Sequence, residues 1–301
     1  MTKRIFSLAA ALVLTAAMCF GLIVPGLADG NAPVAENFEF ETYRGVSFGG
    51  TLCATDPDGE KLSFQITTEP VKGSVELNDD GSFVYTPDGE RKGRDYFGYT
   101  ATDESGNVSQ EATVIIKFLK QKTDVSYSDM QGKAENYAAL RLAECGIFTG
   151  AKFGENYCFQ PDATLSRGEF LTMCMELCGD DILSGVVKTG FTDDDSIPVY
   201  QKSYVSTAVL QGYVSGKSTD NGLCFDPDAP VSGAEAAAML SRCMHLADVS
   251  YVDGGNVWAA QAAANLKACN IISDSEPLAD TLSRAEAAMM LSHAMDILEN
   301  R

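Results

Sequence analysis

Leu165-Ser166-Arg167-Gly168-Glu169, Val231-Ser232-Gly233-Ala234-Glu235 and Leu282-Ser283-Arg284-Ala285-Glu286 are three copies of one short signature in the C-terminal half of a 301-residue chain. Each leads into an apolar segment with helical spacing: Phe170, Leu171, Met173, Cys174 and Leu177, then Ala237, Met239, Leu240 and Met244, then Ala288, Met290, Leu291 and Met295. Ser-x-x-Glu at such a point is a capping box. Ser166, Ser232 and Ser283 are expected to accept from the third helical N–H, and Glu169, Glu235 and Glu286 to return a bond to the cap N–H. A cap contributes about 1 kcal/mol, so the helices alone account for these serines and glutamates. Self-similar units that cannot each close a core stack on one another, which predicts an all-α array with ligand sites between units.

Working outward from the signature, each unit opens with an aromatic and an aspartate: Tyr127-Ser128-Asp129, Phe191-Thr192-Asp193 and Tyr251-Val252-Asp253. A first helical stretch follows, with Tyr137, Leu140 and Leu142 in one unit, Tyr204, Ala208 and Leu210 in the next, and Trp258, Ala262 and Leu266 in the last. The units are therefore helix-loop-helix repeats over 127–182, 190–247 and 251–298, after a linker at 120–126. Arg167 and Arg284 are not explained by capping, because a cation in the first helical turn opposes the helix dipole. A helix N-terminus beside a guanidinium can instead hold a carboxylate through free N–H groups and a bidentate fork.

The first two units also share Gly146-Ile147-Phe148-Thr149-Gly150 with Gly212-Tyr213-Val214-Ser215-Gly216, and Phe159-Gln160-Pro161-Asp162 with Phe225-Asp226-Pro227-Asp228. With the opening aspartates and closing helices, this pattern resembles S-layer homology repeats over nearly the whole chain after Tyr127. The resemblance implies a pseudo-threefold trio whose inter-repeat grooves bind secondary cell wall polysaccharide, often through a pyruvyl ketal carboxylate on an amino sugar. It assigns polysaccharide binding to Arg167 and Arg284, with Asp129, Asp193, Asp253, Tyr137 and Trp258 as groove carboxylates and aromatics. Core packing for Tyr137 and Trp258, and turn capping for the aspartates, stand as alternatives. Two departures predict unequal grooves. Gly233 replaces the arginine in the second repeat, and Asn270 to Pro277 shortens the third repeat's loop.

Residues 31–119 change period. Leu62/Phe64/Ile66, Val75/Leu77, Phe83/Tyr85, Phe97/Tyr99/Ala101 and Val114/Ile116/Phe118 alternate as strands do, separated by turn signals such as Asp56-Pro57-Asp58-Gly59 and Ser105-Gly106-Asn107. About seven short strands in fewer than a hundred residues predict an all-β sandwich. The strings Ala54-Thr55-Asp56-Pro57-Asp58-Gly59, Asp80-Gly81-Ser82-Phe83-Val84-Tyr85-Thr86-Pro87 and Gly93-Arg94-Asp95-Tyr96-Phe97-Gly98-Tyr99 resemble bacterial cadherin-like or Ig-like repeats of surface adhesins. The resemblance implies a spacer or adhesive module with a surface protein or host partner. It also raises a calcium site at Asp56, Asp58 and Asp103 with Glu36. Calcium takes six to eight oxygen ligands, so backbone and water would have to complete such a shell, and Asp-Pro-Asp-Gly also makes a turn with no metal.

Composition excludes several classes. The formal charge of −20 argues against nucleic acid and anionic membrane surfaces, and favours cations as companions. Lys3 and Arg4 precede an apolar run from Ile5 to Val24, and Gly26-Leu27-Ala28 offers a cleavage site, so 1–28 is expected to be a signal peptide and the mature protein exported to the cell wall or S-layer; a retained membrane anchor is the alternative. Eight cysteines follow that segment, with spacings that suggest free thiols more than a disulfide framework. Only His245 and His293 are present, without HExxH spacing, a Gly-x-Ser-x-Gly elbow or a phosphate loop. The expectation is a non-catalytic wall-anchored surface protein with no required cofactor. A self-associating coat component and a wall-glycan hydrolase are the alternatives.

Overall fold

In a computed structural model the described residues are 30–251, 258–273 and 277–300; the expected signal peptide lies outside them. The N-terminal unit is built from β1 (Val34–Ala35), β2 (Phe38–Tyr43), β3 (Phe48–Thr51), β4 (Ala54–Thr55), β5 (Ser63–Thr68), β6 (Gly73–Leu77), β7 (Ser82–Pro87), β8 (Gly93–Thr102) and β9 (Ala112–Leu119). One sheet has the order β2-β9-β8-β5, with β2 parallel to β9, and the facing sheet has the order β3-β7-β6. Alternation drives the pairing: Ala112, Val114, Ile116 and Phe118 of β9 point inward and meet Phe97, Tyr99, Phe83, Tyr85, Phe40 and Leu52. This is an all-β sandwich whose two inner faces supply the core.

One buried carboxylate ties the two sheets together. Asp95 of β8 is 3% exposed and accepts from the Val71 N–H at 3.1 Å, the Lys72 N–H at 2.8 Å and the Tyr85 hydroxyl of β7 at 2.8 Å. Burial, then the bond to Asp95, pushes the Tyr85 phenol well above its ordinary range. Three donors on one carboxylate offset the cost of removing it from water.

The C-terminal unit holds α1 (Asn136–Glu144), α2 (Arg167–Cys178), α3 (Val199–Leu210), α4 (Gly233–Cys243), α5 (Ala260–Ala268) and α6 (Arg284–Glu299). Short hairpins β10 (Ala151–Phe153) with β11 (Asn156–Cys158), and β12 (Lys217–Thr219) with β13 (Gly222–Cys224), sit between the helices of the first two repeats. Helices α2, α4 and α6 each begin with a complete capping box, from Ser166 and Glu169, Ser232 and Glu235, and Ser283 and Glu286. The residues just before these caps close a ring. The Leu165 N–H donates to the Leu282 carbonyl at 3.1 Å, Leu282 to Val231 at 2.9 Å, and Val231 to Leu165 at 2.9 Å, all three buried. A second ring lies outside it: Arg167 N–H to the Ala229 carbonyl, Gly233 to Ala279, and Arg284 to Ala163, at 2.8–2.9 Å. The helices of each repeat are thereby related by a pseudo-threefold axis through the cap residues.

The stretch 120–126 is held in place. The Lys122 and Thr123 N–H groups donate to the Glu144 carboxylate, and Val125 is buried in the helical core. Tyr137 of α1 lies 5.3 Å from the Tyr43 ring and 5.6 Å from Phe48, ring centroid to centroid, so the sandwich packs directly on the first repeat. A Cβ on Gly49 would come within 2.5 Å of the Ala134 Cβ, a contact only glycine permits. Cys174 and Cys243 are buried thiols, and burial pushes their pKa upward, which makes them packing residues.

Removing the sheet-spanning carboxylate by Asp95→Ala strands the buried Tyr85 phenol and leaves the Val71 and Lys72 amides without their partner, so denaturant unfolding should show a loss of about 2 kcal/mol; a loss under about 0.5 kcal/mol would contradict the role given to Asp95. In the second repeat Asp194 accepts from Lys202 at 2.7 Å and from the Thr189 N–H and hydroxyl, and these bonds pull its carboxyl down to about 2. Its folded pKa lies below the unfolded value of about 3.9, so its contribution is complete above about pH 4 and is lost as the pH falls toward 2. Thermal midpoints measured between about pH 5 and pH 2 should therefore drop less steeply for Asp194→Asn than for the wild type, with parallel curves as the opposing result.

Candidate functional site

The loop before each capped helix is organised by the opening aspartate. Asp129 accepts from the Phe159 and Gln160 N–H groups at 2.9 and 2.7 Å, and Asp193 accepts from Phe225 and Asp226 at 2.9 and 2.7 Å. These bonds hold Gln160 and Asp226 in the left-handed region, at φ 58° and 62°, which a non-glycine residue rarely adopts. Both oxygens of each carboxylate are thus spent on loop amides. The expected groove role of Asp129 and Asp193 gives way to a positioning one, because the loops they hold present the carbonyls that the arginines bind. Asp253 lies outside the described residues.

The groove where the first two repeats meet contains Arg167, Lys217, Glu235, Arg242, the Tyr213–Gly216 turn and, from the third repeat, Trp258, around about 360 Å³ of open space. Arg167 is 5% exposed. Its Nε donates to the Phe225 carbonyl at 3.1 Å, its Nη1 pairs with Glu235 at 2.7 Å, and its guanidinium lies 5.3 Å from the Phe225 ring centroid. Lys217 reaches Glu235 at 3.2 Å and Asp226 at 3.3 Å. Burial opposes ionisation of Glu235, but the Ser232 N–H and the charges of Arg167 and Lys217 outweigh it and hold its carboxyl below the usual range. Arg242, exposed, donates to the Tyr213 carbonyl at 3.0 Å. Trp258 is 65% exposed, so core packing is not its role. Three cations and one exposed indole converge here on a chain of formal charge −20, which reverses locally the preference for cationic partners that composition suggests.

The other two grooves differ from this one at defined atoms. Where the second and third repeats meet, a Cβ on Gly233 would stand 2.8 Å from the Ala279 nitrogen and 3.0 Å from its carbonyl oxygen, so the shortened loop occupies the place of the arginine side chain. That groove is lined by Glu135, Asp162, Glu286 and His293, and by no lysine or arginine among the described residues. Where the third repeat meets the first, Arg284 Nη1 donates to the Phe159 carbonyl at 3.3 Å and to Gln160 Oε1 at 2.7 Å, with its guanidinium 5.3 Å from the Phe148 ring centroid. It has no carboxylate partner among the described residues. The position matching Arg242 is taken by Glu176, which bonds the Tyr204 hydroxyl.

Tyr137 is placed differently from the sequence-based expectation. The Ile147 N–H bonds the Leu142 carbonyl, Tyr213 bonds Ala208, and Ile271 bonds Leu266, which sets the register of the first helices. In that register Trp258 matches Tyr200 and Ala134, whereas Tyr137 matches Ser203 and Gln261. Tyr137 therefore packs on the sandwich and lies outside the grooves. Lys217 and Arg242 are groove residues that sequence reasoning missed. The signal was available, since Lys217 directly follows the shared Gly-x-x-x-Gly turn and Arg242 lies ten residues after its cap serine, where the other repeats carry Glu176 and His293.

The sandwich carboxylates are engaged by donors of their own loops. Asp56 accepts from the Asp58 and Glu60 N–H groups, Asp58 from Asn31, and Asp103 from the Asn107 backbone and side chain, while Glu36 contributes its carbonyl to Tyr99. Among the described residues no group of three or more His, Cys, Asp or Glu is arranged to hold a metal ion. The turn chemistry of these loops accounts for the aspartates without one.

Residues 30–120 match the family model of the bacterial cadherin-like domain, and residues 190–237 match that of the S-layer homology domain. The surface-layer 125 kDa protein of Lysinibacillus sphaericus is 29% identical over 136 residues, covering 44% of this chain and 11% of that protein, so the chain spans about a tenth of its relative. Among solved structures, human protocadherin-24 EC1-2 is similar at 17% identity over 33% of this chain and 56% of that one, with a TM-score of 0.25. The SrpA adhesin of Streptococcus sanguinis is similar at 18% identity over 33% of this chain and 67% of that one, with a TM-score of 0.23. Among the described residues no helix is long and apolar enough to cross a membrane. One chain thus carries a match to the bacterial cadherin-like domain over 30–120 and a match to the S-layer homology domain over 190–237, and it is similar in part to a surface-layer protein.

Proposed function

We propose that the groove of Arg167, Lys217, Arg242 and Trp258 binds a carboxylate-bearing secondary cell wall polysaccharide, pyruvylated in the form the family resemblance implies, and so anchors the chain non-covalently to the wall. The sandwich is then displayed at the surface as a spacer or adhesive domain. One observation carries the reading: three of the 22 lysines and arginines of a strongly acidic chain line one inter-repeat groove beside an exposed indole. Cations and helix N-terminal N–H groups favour an anionic ligand, and an aromatic face suits a sugar ring. The sandwich rests on the first repeat through Tyr43, Phe48 and Tyr137, so whatever it meets is held in fixed relation to the wall.

Co-sedimentation of the full chain with native wall sacculi, and with sacculi stripped of their secondary polymer, tests the reading. Retention on native walls and release from stripped ones is the expected result; equal retention on both would contradict it. Trp258→Ala should weaken binding about tenfold, since loss of one aromatic platform is worth about 1–2 kcal/mol, whereas Arg284→Ala should leave it within about twofold. Equal losses for the two variants would show that the grooves act alike.

A further inference from the structure

We propose that Arg242, and not the helix-opening Arg167, makes the ion pair with the ligand's carboxylate in this groove, with Trp258 stacking on the sugar that bears it. The inference rests on the reading of this groove as the wall-polymer site. Its first support is the internal pairing of the other cations. Arg167 is 5% exposed and already bonded to Glu235 and to the Phe225 carbonyl, and Lys217 is shared between Glu235 and Asp226. A ligand carboxylate could reach Arg167 only by displacing Glu235, whose other oxygen accepts the cap N–H of Ser232 at 3.1 Å. Breaking such a buried pair is costly, so Arg167 is a positioning residue that fixes the loop and the cap glutamate.

Arg242 has the opposite environment. It is exposed, and no carboxylate among the described residues lies within ion-pair distance of it. A cation in the last turn of a helix is favourable in itself, and that alone could place an arginine at this position. Yet its Nη1 binds the Tyr213 carbonyl from the turn that lines the groove, at 3.0 Å, which fixes the fork over the cavity. A guanidinium carries five donors in a rigid plane, so one bond to Tyr213 leaves an edge for a carboxylate. The matching positions are Glu176 and His293, so this cation sets one groove apart from the other two. The ligand class is accordingly a saccharide with a carboxylate next to a face that can stack on indole.

Calorimetric titration of the full chain with secondary polymer released from native walls, and with the same polymer after reduction of its carboxylates to alcohols, tests the assignment. Arg242→Ala and Arg242→Gln should bind the native polymer about tenfold or more weakly while still unfolding cooperatively well above the titration temperature, and Arg242→Lys should fall between them and the wild type. Wild type should bind the reduced polymer about as weakly as Arg242→Ala binds the native one. If Arg242→Ala binds the native polymer within about twofold of wild type, the role of Arg242 is overturned while the groove reading survives. If wild type binds reduced and native polymer equally, the carboxylate reading and the Arg242 assignment both fail.

Discussion

Closure of the three repeats on themselves is the constraint on which the C-terminal unit depends. Leu165, Val231 and Leu282 each give an N–H to one neighbour and a carbonyl to the other, in a buried ring that no single repeat could form. Buried backbone groups must be paired, so each repeat supplies what the next one lacks. The ring places three helix N-termini at equivalent seams, and each capping box then stands beside the loop of the following repeat. Equivalent backbone seams are the reason that differences among the grooves can be read side chain by side chain.

At those seams the same helix-start position takes three different environments. Arg167 is compensated by a glutamate, Arg284 by neutral oxygens, and Gly233 is there because the Ala279 backbone leaves no room for a Cβ. Arg242 and Arg284 are the groove arginines without a carboxylate partner among the described residues, and of the two Arg242 lines the open groove at Trp258. A protein of strongly negative overall charge can in this way offer one attractive surface to an anionic polymer, with its remaining surface repelling it. The acidic lining of the groove at Gly233, and Glu176 at the seam of Arg284, work in the same direction.

Much of the fold was legible because local rules and tertiary structure agree. Alternation marked β7, β8 and β9, and Ser-x-x-Glu marked the starts of α2, α4 and α6. The site was less legible, because its decisive contacts join residues far apart in the chain. That Glu235 serves both as a cap and as the counter-ion of Arg167 follows from the ring and from no spacing within one repeat. Asp129 and Asp193 looked like groove carboxylates because of their position, and only the left-handed loops at Gln160 and Asp226 reveal what they hold. Residue type pairs Tyr137 with Trp258, whereas the helix-end hydrogen bonds set a different register and leave Tyr137 to pack on Tyr43 and Phe48.

The central claim is that three repeats of one backbone design make a single strong anionic-glycan site. The most direct measurement is the calorimetric stoichiometry of the full chain with short, monovalent fragments of the secondary polymer. The account predicts one strong site per chain. Two or three equivalent sites would contradict it, because they would show that the contacts of Gly233 and the environment of Arg284 do not separate those grooves from the one at Arg167.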